Sequence, residues 1–558
     1  MIFNLILRAA ATGIVAALTF TACRPSNNSS ISATDPGFLE LSRNAGQLMI
    51  VGFRGPELTP QIRDTLRELH PGGICLYAQN ISSAEQVGRL NDQLRSWLDE
   101  MLPPFIAVDQ EGGIVVRIYD GVTVFPSMMA VGATRSPALA MAAGKTLGGE
   151  LRLLGFNMNL APVLDTPENP AIGSRAFSDD PRLIAQLGSA FIRGQQEAGM
   201  ATVAKHFPGE GKSHGDSHYQ LPVRWESAAT IRAELTPFCE ATRHELDAVM
   251  TAHVAVPSLA KNRSPATMSS RLLTGVLRQE LDFDGLILTD EIEGMRAISA
   301  YGVERAAVAA VNAGADMVFV AFSPDIQKRV HGALMEAIQS GRISPERLKQ
   351  ALGRIVALKT KRKLFDALPP LEERLAVLRR REGTKFATEI AQQSITRFGP
   401  GVDFLPINAG RRIALITDSE NFARAIRAKA SQTEVVMIDK QAMQNKRATK
   451  EAIQKLAANS DTVIGAFILF EHLQILRSIE LSKPLAIVFM NVPPRDLLAG
   501  ITTPQAVLVN YCYQPVSAEA TANALFQNPI MPGILPVNGV EPARPAAITA
   551  NAQSKMVP

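Results

Sequence analysis

The sequence predicts an α/β protein, a (β/α)8 barrel of the TIM type followed by a smaller open α/β sandwich domain. Three observations carry this expectation. Eight short apolar runs alternate with amphipathic stretches between residues 46 and 322. The runs lack strict polar alternation, as strands buried on both faces do. Five of the eight end in titratable residues, where a barrel carries its active-site rim.

In chain order the runs are GQLMIVGF, GGICLY, FIAVDQE, FNMNLAPVLD, ATVAKHFP, AVMTAHV, GLILTDE and ADMVFVAF. Stretches such as TPQIRDTLREL, SAEQVGRLNDQLRSWLDE and PRLIAQLGSAFIRGQQEA separate them, with apolar residues at helical spacing. The barrel is expected over 37–343, and a charged helical connector over 344–400. Five further runs, RRIALIT, EVVMID, TVIGAFILF, PLAIVFM and AVLVNYC, predict an open, mostly parallel sheet over 401–540. Neither GxGxxG nor GxxxxGKS lies between these strands, which argues against a nucleotide role. An Ala/Pro-rich tail over 541–558 closes the chain.

At 558 residues the chain exceeds one ordinary core. A net charge of +4 with no dense Lys/Arg run gives no footprint for nucleic acid. The four cysteines are dispersed and form no disulfide or zinc pattern, and Cys75 is expected to be buried. Residues 1–23 read as a signal peptide, with one cation at Arg8 and an uncharged stretch from Ala9 to Ala22. Phe20-Thr21-Ala22-Cys23 is similar to a bacterial lipobox, with Phe20 where Leu is usual, so Cys23 is the expected lipidation site. An ordinary signal peptide with an incidental cysteine is the alternative. A tether over 24–36 leads to the folded part. An exported protein of the cell envelope is expected, periplasmic or anchored to a membrane through Cys23.

The strand ends carry Asp109-Gln110-Glu111, Asp165, Lys205-His206, His253 and Asp290-Glu291. Taken singly, each has a bland reading. An Asp at a strand end is often a turn former, and Lys205 or Arg175 can simply pair with a rim carboxylate. His206, His214 and His218 fit no standard zinc spacing, so no metal is expected. Strand alternation turns Glu291 away from the side that Asp290 faces.

Together the motifs are specific. DQEGG at 109–113, NMNLAPVLD at 157–165, GSRAFSDDP at 173–181, KHFPGEG at 205–211, DSH at 216–218 and LTDEIEGM at 288–295 resemble glycoside hydrolase family 3. The DSH segment resembles its bacterial β-N-acetylglucosaminidase branch. The resemblance covers about 40–360 and departs at Glu210, where the family commonly has a second His, and at Ile114, where Arg is common.

The resemblance implies Asp290 as nucleophile, His218 as acid/base and Asp216 as its partner. It implies substrate-binding roles for Asp109, Arg117, Arg175, Lys205 and His206. Retaining hydrolysis needs an attacking carboxylate and a proton donor that later activates water. Histidine suits the second task, since its ordinary pKa lies near neutrality. The expectation is exo-acting release of terminal N-acetylglucosamine from cell-wall fragments or chitin oligosaccharides, with no cofactor. Phosphorolysis of the same substrates, a β-glucosidase and a non-catalytic envelope sugar-binding protein are the competing readings.

Overall fold

The computed structural model describes residues 45–97, 102–213, 215–380, 382–398, 404–494, 497, 506–527 and 531–538. Cys23, the tether over 24–36, His214 and the tail over 541–558 lie outside the described residues. Among the described residues, no helix is long and apolar enough to cross a membrane.

Eight parallel strands close into a barrel in sequence order. They are β1 (Met49–Val51), β2 (Gly73–Leu76), β3 (Phe105–Val108), β4 (Met158–Asn159), β5 (Ala201–Phe207), β6 (Ala248–Thr251), β7 (Leu286–Glu291) and β8 (Met317–Val320). All eight arise from the eight apolar runs. Each intervening helix presents one apolar stripe to the barrel, as in Pro60–Leu69, where Leu66 and Leu69 are buried. Thr59 caps that helix through its side chain, and Pro60 sits at the first turn, where a missing N–H costs nothing.

β4 is only two residues long, although its apolar run has ten. Asparagine amides replace the missing ladder. Asn157 accepts from the Ile106 N–H at 2.7 Å and donates to the Pro104 carbonyl at 3.1 Å. Asn159 accepts from the Gln110 N–H and donates to its carbonyl, both at 3.0 Å. The end of β3 is thus pinned by side chains where strand pairing has stopped.

The second sheet has six strands in the order β11-β10-β12-β13-β14-β9. The five predicted runs form β10 (Ile413–Thr417), β11 (Thr433–Met437), β12 (Thr462–Phe467), β13 (Leu485–Phe489) and β14 (Ala506–Val509), paired in parallel. The sixth corrects the connector expectation. Residues 344–400 are not wholly helical, because Thr396–Phe398 forms β9, an edge strand antiparallel to β14. Its three residues are too few for a period-2 signal to stand out beside the helix Gly383–Ser394.

Alternate residues of this sheet enter different cores. Val463, Phe467, Ile487 and Val507 belong to the same apolar cluster as the barrel, whereas Leu415, Ile464, Val488 and Leu508 form a separate cluster on the far face. The two domains therefore share one continuous core.

Candidate active site

The C-terminal ends of the strands deliver the polar residues to one mouth. Strand pairing becomes irregular between Ala204 and Phe207 in β5, and between Leu288 and Glu291 in β7. These breaks flank Lys205-His206 and Asp290, so the chain leaves the ladder where it must aim a side chain.

Lys205 donates to Asp109 Oδ1 at 2.6 Å and lies 2.7 Å from Glu111 Oε1. Glu111 also receives both arms of Arg175, at 2.9 Å each. Burial alone would raise the Glu111 carboxyl, but Arg175 and Lys205 outweigh it and hold it well below the usual carboxylate range. Burial would lower Lys205, yet Asp109 and Glu111 leave it above the ordinary lysine value. Both cations are thus permanently charged and geometrically fixed, the state in which donors orient sugar hydroxyls. The planar fork of Arg175 matches a carboxylate as a lysine cannot.

A second cluster is centred on Asp165. Its Oδ2 accepts from His206 Nδ1 at 2.6 Å and from the His206 N–H at 3.0 Å, while Oδ1 accepts from the Glu210 N–H at 2.8 Å. A carboxylate can only accept, so His206 carries its proton on Nδ1 and turns Nε2 elsewhere. Burial opposes the charged ring, but Asp165 prevails and raises the His206 pKa. Glu210 accepts from Asn169 Nδ2 at 2.8 Å. Burial pushes Glu210 up to about 7, with His206 opposing and Asp165 and Asp290 adding to the rise.

Asp290 and Glu291 share a strand end but differ in surroundings. Glu291 is spent on backbone, accepting from the N–H groups of Glu293 (2.8 Å), Gly294 (2.6 Å) and Ala321 (3.2 Å). Burial nevertheless pushes it up to about 7. Among the described residues Asp290 accepts only the Glu291 N–H, at 2.7 Å. Burial would raise its carboxyl, but His206, His253, that N–H and Lys205 bring it below the ordinary value. An ionised carboxylate with an uncommitted oxygen therefore stands at the end of β7. His253 is buried behind it, its Nε2 donating to the Glu291 carbonyl at 2.9 Å, with Thr267 Oγ1 2.7 Å from Nδ1.

Asp216 and His218 are not part of this buried cluster. His218 Nδ1 donates to Asp216 Oδ1 at 2.6 Å and the His218 N–H to the same oxygen at 2.9 Å. Burial, the largest single influence, would raise Asp216, but these two bonds and the ring together lower it. Their side chains are 40% and 59% exposed, so the pair stands at the mouth facing solvent. The loop is anchored to the segment after β7, where the Ala297 N–H donates to the Ser217 carbonyl at 3.0 Å. Nδ1 is occupied by Asp216, which leaves Nε2 as the outward nitrogen.

Arg117 lies on the rim, its N–H donating to Gln110 Oε1 at 2.8 Å. Ile114 is 43% exposed. The second domain reaches the same loop, since Gln514 Nε2 donates to the Gly113 carbonyl at 2.6 Å and Ser127 Oγ to the Tyr511 carbonyl at 2.8 Å.

The structure thus assembles Asp109, Arg175, Lys205, His206 and Asp290, and holds Asp216–His218 apart. Sequence reasoning gave no role to Glu111, Asp165 or His253, although each was visible at a strand end. The bland reading of Lys205 and Arg175 as partners of rim carboxylates describes their contacts. The signal that could have marked Glu111 is its position two residues beyond Asp109, on the face that alternation assigns to the same side.

The family model for the glycosyl hydrolase family 3 N-terminal domain matches residues 40–358. The chain is 35% identical over 315 residues to a beta-hexosaminidase of Stenotrophomonas maltophilia, covering 55% of this chain and 91% of that one. It is 32% identical over 332 residues to beta-hexosaminidase A of Pseudoalteromonas piscicida, where the match covers 54% of this chain and spans only 56% of the relative. Among solved structures, a glycoside hydrolase family 3 beta-N-acetylglucosaminidase from Paenibacillus sp. str. FPU-7 superposes with a TM-score of 0.82 at 32% identity, covering 89% of this chain and 99% of that one.

Proposed function

The chain belongs to glycoside hydrolase family 3, and from that premise we propose that it is a retaining, exo-acting β-N-acetylglucosaminidase with Asp290 as nucleophile. The observation that carries the assignment is the contrast at the end of β7. Glu291 is locked by three backbone donors, while Asp290 is kept ionised beside His206, His253 and Lys205. In this reading Asp290 attacks the anomeric carbon as the glycosidic bond breaks. The His218 imidazolium, its Nδ1–H held by Asp216, gives its Nε2 proton to the leaving oxygen. The neutral ring then takes a proton from water, which releases the sugar from Asp290. Lys205, Arg175, Asp109 and His206 hold the sugar, and Arg117 borders it. The names of the similar proteins, beta-hexosaminidase and beta-N-acetylglucosaminidase, support the N-acetyl sugar as substrate.

The test compares hydrolysis of an aryl β-N-acetylglucosaminide with that of the matching β-glucoside, with and without phosphate. Preference for the N-acetyl sugar without phosphate dependence is expected, and Asp290→Ala lowers kcat/KM by at least about a thousandfold. His218→Gln should cost far more with an alkyl aglycone, which needs a proton, than with 4-nitrophenyl, which does not. Equal losses on both aglycones remove His218 from the acid role, and glucoside preference overturns the substrate.

We also propose export and lipidation at Cys23, on the strength of residues 1–23 alone. Cells carrying the native chain should hold it in the membrane fraction, and Cys23→Ser should release it. Recovery of both from the soluble fraction argues against the anchor.

A further inference from the structure

On the sector of the mouth formed by the ends of β1, β2, β3 and β8 lies a pocket of about 380 Å3. Arg54, Tyr77, Ala78, Gln79, Arg117 and Phe322 line it. It adjoins the sugar site, because after burial the charges of Asp109, Glu291 and Asp290 are among the causes that raise the Tyr77 phenol.

Two features set the pocket apart. Its two guanidiniums have no carboxylate partner among the described residues. The Arg54 guanidinium lies 5.9 Å from the centre of the Phe322 ring, and among the described residues the Arg117 Nε is buried without a hydrogen-bond partner. Elsewhere at this mouth Arg175 and Lys205 are paired with carboxylates. Both arginines also stand on backbone fixed by buried amides. Asn80 Nδ2 donates to the carbonyls on either side of Arg54, Phe53 at 3.0 Å and Gly55 at 2.7 Å. Gln110 Oε1 accepts the N–H groups of Arg117 and Ile118, at 2.8 and 3.2 Å, and its Nε2 donates to the Ile118 carbonyl at 2.9 Å. Tyr77 and Phe322 pack with centroids 4.9 Å apart and close one wall. An exposed Arg54 and a half-buried Arg117, both without a carboxylate partner among the described residues, face one open, partly apolar depression and match a planar or tetrahedral oxyanion.

We propose that this pocket is an oxyanion subsite, in which Arg54 and Arg117 hold a carboxylate or phosphate group during glycoside cleavage. The proposal rests on the reading of the neighbouring site as a β-N-acetylglucosaminidase, and it extends substrate recognition to an anionic group. That group is either carried by the substrate or supplied as a free anion.

The full chain is assayed with an N-acetylglucosaminide bearing a carboxymethylphenyl aglycone and with its uncharged amide isostere, whose leaving groups are closely matched. A third arm uses the amide substrate with added inorganic phosphate. Calorimetric titration with inorganic phosphate reads the pocket without turnover. A kcat/KM preference for the charged aglycone that falls roughly tenfold in Arg54→Gln and is partly restored in Arg54→Lys supports the proposal and names a substrate-borne anion. Phosphate binding lost in Arg54→Gln supports it and names the free anion, whereas a rate that rises with phosphate counts against the hydrolase reading of the neighbouring site. Absence of charge preference and of phosphate binding overturns it, as does a preference that Arg54→Gln leaves intact. Failure of the native chain to turn over the neutral amide counts against the N-acetylglucosaminidase reading instead, and calorimetry still decides the pocket.

Discussion

Neighbouring carboxylates in this site differ through what surrounds them rather than through their chemistry. Asp290 and Glu111 are held down by cations, whereas Glu210 and Glu291 are pushed up to about 7 by burial. Asp109, Lys205, His206 and Asp290 are legible in the sequence because each sits in or just beyond a strand end, whereas Arg117, Arg175, Asp216 and His218 lie outside the strands and are legible only through the family motifs. Their partners were not, since the pairing of Arg175 with Glu111 joins positions 64 residues apart and needs the closed barrel. The raised Glu210 has a consequence for stability. Its folded value is about 7 against an ordinary 4.5. Between those values the folded protein binds more protons than the unfolded chain, so stability falls as pH rises. Urea unfolding should show Glu210→Gln losing less stability than the native chain between pH 5 and 7, a difference on the order of 1 kcal/mol or more. Identical slopes would show that Glu210 titrates normally. The depressed carboxylates act in the opposite sense, and their contribution is lost only as pH falls below the ordinary carboxylate range.

At the scale of elements, the loop after β5 carries both Glu210 and the Asp216–His218 pair, and Arg224 anchors its base. This guanidinium is fully buried, donating to Glu226 Oε1 at 2.8 Å, Glu234 Oε2 at 2.5 Å and the Gly209 carbonyl at 3.2 Å. Gly211 has a φ of +45°, and a Cβ there would lie 2.5 Å from Arg224 Cζ, so the loop and the arginine are packed without slack. Arg224→Met removes the cation and leaves two shielded carboxylates. A loss of about 3 kcal/mol is expected, read as a lower midpoint of denaturant unfolding. A midpoint unchanged from the native chain would show that the loop stands without this anchor. Element types were legible wherever an apolar run was long. β9 was not, because three residues on a sheet edge borrow their strand character from β14. Nor was the brevity of β4, because Asn157 and Asn159 supply in side chains what a strand supplies in backbone.

For the whole molecule, the barrel carries the groups proposed to react and the second domain braces the loop beside them. One apolar core runs through the barrel into the near face of the second sheet. Gln514 and Tyr511 contact the barrel at Gly113 and Ser127, beside the Asp109–Glu111 segment. The presence and order of the two domains followed from the two sets of apolar runs. The contacts between them did not, because Gln514 and Gly113 are 401 residues apart and neither stands in a motif that names its partner. The central claim is that the sugar becomes covalently attached to Asp290. The direct measurement is mass spectrometry of the full chain after reaction with a 5-fluoro N-acetylglucosaminyl fluoride, which slows both steps and lets a glycosyl-enzyme accumulate. A single added sugar located by peptide fragmentation on Asp290, and absent from Asp290→Ala, is the result expected. A label on Glu291 or another carboxylate, or steady turnover of the reagent with no covalent adduct, contradicts it.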